Sequence, residues 1–164
     1  MNARLTREYR TFRAHGEPAS RALDAARTCL LWGRLSDLGM VRLEVRPDDS
    51  YDWSDERERE RFGEDGAWGV VGEYRVPARM GNSDDLTTVY GDDSAVVERD
   101  SQGQWFRLEY EMQWEHGDSI WGCVGYQDVS SPQENPYVID IMGETIGRLR
   151  EALRGRCPVC RRAS

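Results

Sequence analysis

Residues 104–129 read QWFRLEYEMQWEHGDSIWGCVGYQDV, and this stretch decides the fold class. Its first half alternates. Phe106, Leu108, Tyr110, Met112 and Trp114 fall on one side of an extended chain, and Trp105, Arg107, Glu109, Glu111 and Gln113 fall on the other. That two-residue period is the mark of a strand with one apolar face. SIWGCVGYQDV then gives a second strand signal a few residues later, and strands separated by such short turns suggest an antiparallel sheet.

Upstream, MVRLEV, AWGVVGEYRV, LTTVY and SAVVE carry further strand signals. Downstream, Asn135-Pro136 opens a helix lined by Val138, Ile141, Met142, Thr145, Leu149 and Leu153. HGEPASRALDAARTCLLWGRLSDLG reads as another helix, with Pro18 at its start and Gly39 at its stop. Its apolar stripe runs through Leu23, Ala26, Leu30, Leu31 and Leu38, with Ala22, Cys29 and Trp32 on or beside it. Residues 3–14 are Arg-rich and read either as a short helix or as a loose basic arm. Ser54 stands where it would cap a short charged helix after it. The expected fold is α+β: one domain over 1–154, an antiparallel sheet of about five or six strands, and an N-terminal and a C-terminal helix packed on it. An Arg-rich tail, 155–164, follows.

The chain has 164 residues, six Trp, seven Tyr and three Phe, enough aromatic mass for an ordered core. No apolar run reaches the roughly 18 residues of a membrane span, and the first residues lack the apolar centre of a signal peptide. A cytoplasmic protein is the expectation. Several chemistries find no motif. Without lysine there is no Gly-x-x-x-x-Gly-Lys loop, and Gly-x-Gly-x-x-Gly does not occur. His116, Asp118 and Ser119 are near-neighbours in one segment, a poor basis for a catalytic triad. Asp48, Ser50, Asp52 and Ser54 begin like a calcium loop, but Trp53 replaces the required glycine and Arg59 the closing glutamate. A non-catalytic protein is expected, with a carboxylate-based activity as the residual alternative.

Charge is unevenly placed. All 22 basic residues are Arg, which fits either a GC-rich genome or selection for bidentate anion contacts. Residues 1–43 hold eight Arg against four acids, and 145–164 hold six against one. The total is −8, so 44–144 carries −17. The basic ends either neutralise this body within the fold or leave it for a basic partner. The candidate acidic face is Asp84, Asp85, Asp92, Asp93, Glu109, Glu111, Glu115 and Asp118. Arg4, Arg7, Arg10 and Arg13, every third residue, form the candidate basic arm.

Cys157 and Cys160 form Cys-Pro-Val-Cys, a spacing that lets two thiolates reach one tetrahedral zinc, flanked by Arg156, Arg161 and Arg162. Four readings stay open: two idle thiols, a zinc shared between two chains, a zinc completed within the chain by Cys29, Cys123 or His116, and redox chemistry. The motif resembles the zinc hook of coiled-coil DNA-repair ATPases, in which two such turns share one zinc, and this implies a homodimer.

The stretch HGDSIWGCVGYQDVSSPQENPYVIDIM, 116–142, resembles segments of small uncharacterised proteins of bacteriophages and mobile elements from GC-rich hosts, where Asp-Ser-x-Trp-Gly and Glu-Asn-Pro-Tyr run into a terminal helix. The resemblance implies a genomic setting. Together with the acidic body it suggests an accessory protein that binds a protein partner with a basic surface, such as a counter-defence inhibitor that imitates DNA. The alternative is a zinc-dimerised, nucleic-acid-associated regulator using the Arg-rich termini, although the acidic body disfavours direct nucleic-acid binding.

Overall fold

The computed structural model describes residues 2–82, 95–99, 105–110 and 113–154, with side chains described in 2–76 and 113–154. The described elements are α1 (Ala3–Ala14), α2 (Ala19–Asp37), β1 (Val41–Pro47), α3 (Glu56–Phe62), β2 (Ala67–Tyr74), β3 (Pro77–Asn82), β4 (Ala95–Arg99), β5 (Trp105–Tyr110), β6 (Glu115–Val124) and α4 (Tyr137–Arg154). The α+β class holds. The six described strands do not form one sheet, however. They make two antiparallel three-stranded sheets, ordered β1-β2-β6 and β3-β5-β4. The second sheet is thus inserted in sequence between two neighbours of the first. Pro77 begins β3 without an N–H to give a ladder. Just before it, Arg75 N–H donates to Met40 O and Arg75 Nε donates to Gly39 O.

Residues 3–14 are the helix of the two readings, not the loose arm. Asn2 caps it, accepting from the N–H groups of Arg4 and Leu5. Leu5, Tyr9 and Phe12 lie at i, i+4 and i+7 and pack on α2, where Phe12 is buried against Ala22, Ala25 and Ala26. Of the expected α2 stripe, Ala22, Ala26 and Trp32 are buried, joined by Ala25, and the small alanines let the two helices approach. Leu23, Leu30, Leu31 and Leu38 are only half-buried. Gly39, at φ +70, ends α2 in the left-handed conformation that glycine adopts without a Cβ penalty.

On the first sheet, α4 packs against β2 and β6, and α2 against β1 and α4. The expected α4 stripe is the core: Val138, Ile141, Met142, Thr145 and Leu149 are buried, joined by Ile146, while Leu153 packs at its edge. They meet Val41, Val70, Trp32 and Met40. Asn135-Pro136 opens α4 as expected, and one helix start differs from expectation. Asp55, not Ser54, caps α3 by accepting from Arg57 N–H. Asn135 is fully buried and turns its amide inward, where Nδ2 donates to Val129 O at 2.9 Å. Its backbone carbonyl accepts from Val138 N–H. No helix among the described residues is long and apolar enough to cross a membrane.

Candidate functional site: surfaces of opposite charge

Charge segregates by element. On α1, Arg4, Arg7, Arg10 and Arg13 are all exposed. Steps of three residues fall back about 60° each, so the four sweep about half of the helix rather than one line. That half faces solvent because Leu5, Tyr9 and Phe12 hold the other against α2. Arg13 donates to Glu17 O. Among the described residues, none of the four forms an ion pair.

The acidic middle has its own internal pairings. Glu73 lies across from Arg42 and accepts from Arg42 and Arg46 at 3.2 and 2.9 Å, while Glu44 bonds the same two arginines. Arg46 and Arg42 hold the Glu44 carboxyl below the usual carboxylate range. The Arg42 and Arg75 guanidinium groups each lie over the Trp114 indole, 4.4 Å from a ring centroid. Between residues 49 and 65, around α3, eight carboxylates stand against three arginines. These carboxylates are exposed, and Glu64 pairs with Arg59.

Of the expected acidic face, Glu115 and Asp118 are described in full. Glu115 is exposed at the start of β6, opposite Tyr74; burial and then the nearby Glu115 carboxylate push the Tyr74 pKa up. Asp118 is half-buried and accepts from its neighbour Ser119 N–H at 2.9 Å. Glu109 is placed by backbone only, in β5 opposite Arg79 and Ala95. Asp84, Asp85, Asp92, Asp93 and Glu111 lie outside the described residues, as do Cys157 and Cys160.

His116 Nε2 lies 3.2 Å from Ser119 Oγ. The Asp118 carboxylate is turned onto the Ser119 backbone and not onto the imidazole, so the three groups lack the orienting contact of a triad. Asp48, from the failed calcium pattern, is instead a structural clamp. It is nearly buried and accepts from Gly122 N–H at 2.8 Å and Ser50 Oγ at 3.0 Å, tying the loop after β1 to β6.

No three His, Cys, Asp or Glu side chains converge as a metal site among the described residues. Cys29 and Cys123 stand apart in function from any such cluster. Burial, reinforced by Glu8, pushes the Cys29 thiol up to about 12, and burial likewise raises Cys123. Burial thus favours the protonated form of both, a poor nucleophile.

Arg27 and Arg34 were not singled out by sequence, being read only as polar positions of α2. Their signal was the spacing: Arg27, Leu30, Leu31 and Arg34 at i, i+3, i+4 and i+7 share one helix face. They line a groove with Arg4 and Leu5 of α1.

No protein-family model matches this chain, and no curated protein or solved structure matches it. The fold and the two surfaces therefore carry the functional argument themselves.

Proposed function

We propose that this chain is a small acidic accessory protein that acts without catalysis, by presenting carboxylates to a protein partner with a basic surface. The observation that supports this reading is the separation of charge: among the described residues the α1 arginines form no ion pair with the acidic middle, and of the exposed carboxylates around α3 only Glu64 is ion-paired. The exposed acids around α3, with Glu115 beyond them, offer a surface of the sign that a nucleic-acid enzyme binds. Competition for a phosphate-binding groove is the mechanism, and inhibition the outcome. The resemblance of 116–142 to phage and mobile-element proteins fits a counter-defence role.

The test is competition. Fluorescent duplex DNA is bound to basic nucleic-acid enzymes of a GC-rich bacterial host, and the protein is titrated in at low salt. Displacement that weakens as salt rises, and weakens again in E56Q/E58Q/E60Q, supports the reading. Failure to displace DNA from any of them at low salt removes it.

A further inference from the structure

We propose that the groove between α1 and α2 binds the phosphodiester backbone of a nucleic-acid strand, held by Arg4, Arg27 and Arg34. The groove measures about 240 Å³ and has Leu5, Leu30 and Leu31 as its floor. Arg4 reaches across from α1: its Nη2 is 3.8 Å from a Cβ built at Gly33, so its guanidinium sits over α2 beside Arg34. Arg27 and Arg34 are exposed on the same face of α2.

Three cations line one groove, and among the described residues none of them is ion-paired. Glu8 is one turn along α1 from Arg4, yet it forms no ion pair and acts on the Cys29 thiol instead. Arg34 in the last turn of α2 complements the helix dipole, which accounts for that one cation but not for Arg4 or Arg27.

An anion is the missing counterpart, and spacing selects its kind. Arg27 and Arg34 are two turns apart, about 10 Å along the axis at ~1.5 Å per residue. Together with Arg4 they spread cationic groups along the groove, and a nucleic-acid strand, which presents phosphates in series, offers each of them a partner. Planar guanidinium forks grip phosphate oxygens in pairs, and the leucine floor takes the apolar edge of a sugar. Arg7 and Arg10 continue the row over the outer side of α1. The site is separate from the acidic surface, so its failure leaves the competition reading standing.

Fluorescence anisotropy of a 20-nucleotide single strand and of its duplex, titrated with the full chain at low salt, is the test. Binding is expected, with log affinity falling against log salt at a slope of roughly −2 to −3 for three phosphate contacts. R4S/R27S/R34S is expected to bind at least about tenfold more weakly with a flatter slope, while R148S/R150S on α4 binds as wild type. Circular dichroism checks that each variant folds. Independently of any variant, the oligonucleotide should protect Arg27 and Arg34 of the native chain from phenylglyoxal, read by mass spectrometry. The proposal is overturned by no binding at low salt, by undiminished binding in the folded triple variant, by equal competition from a polyglutamate peptide or inorganic phosphate, or by absence of protection.

Discussion

Thr145 of α4 stands directly over Gly72 of β2: a Cβ built at Gly72 would lie 2.4 Å from Thr145 Oγ1 and 2.7 Å from Ile141 Cγ2. A Cβ built at Gly117 of β6 would collide with the same threonine. The helix therefore rests on a glycine pair, and its distance from the sheet is set there. Gly72→Ala is expected to cost about 1–3 kcal/mol by overpacking, read as a lower urea midpoint with an unchanged slope. A neutral result would mean that α4 is free to shift.

The Thr145 hydroxyl is buried and has no hydrogen-bond partner among the described residues. Thr145→Val keeps the volume and removes the unpaired group, so it should stabilise the fold by about 1 kcal/mol. Thermal melting tests this, and a lower midpoint would show that the hydroxyl has a partner in solution.

Phe12 fastens α1 to α2 and is 1% exposed. Phe12→Ala should cost about 3–5 kcal/mol, or release α1 alone if the helix is an independent unit. Hydrogen exchange separates the two: loss of protection confined to residues 3–14 signals local release, and loss throughout signals global destabilisation.

Cys29 should resist alkylation in the native state. With its thiol pushed up to about 12, iodoacetamide at pH 8 should label it only as fast as the fold opens. The raised pKa also gives stability a sign. The neutral thiol is favoured in the fold, so its contribution is complete below the unfolded thiol value, about 8.5, and declines as pH rises toward 12. Cys29→Ala should flatten that alkaline limb of the stability profile. Rapid native labelling at pH 8 would contradict the burial.

Glu44 works in the opposite direction. Its carboxyl is lowered first by the Arg46 hydrogen bond, so the contribution is present above the unfolded value of about 4.3 and is lost as pH falls through the lower folded value. The effect is small because both partners meet water. Glu44→Gln should lower stability slightly at pH 7 and leave it unchanged near pH 2, measured by urea titration at each pH.

Much of the fold was legible. The α4 stripe from Val138 to Leu149 and the stop at Gly39 follow from periodicity and from backbone sterics, which are local. Strands β1 and β5 were likewise visible as alternation, and β2 and β4 as apolar strand-forming runs. Their grouping was not, because a two-residue period reveals that a strand has faces and says nothing about which strand pairs with it. The site was legible in part. Arg4, Arg7, Arg10 and Arg13 were marked by their repeat, whereas Arg27 and Arg34 became a groove only once Arg4 lay across them.

The sequence by itself determined the α+β class, the helix boundaries within a few residues and the separation of basic ends from an acidic middle, since each depends on neighbours along the chain. Tertiary structure alone decided that β6 closes on β2 rather than on β5, that alanines rather than leucines are the deepest part of α2, and that Thr145 rests on Gly72. These depend on which surfaces approach closely enough to exclude water, and close approach is a property of pairs of elements far apart in sequence.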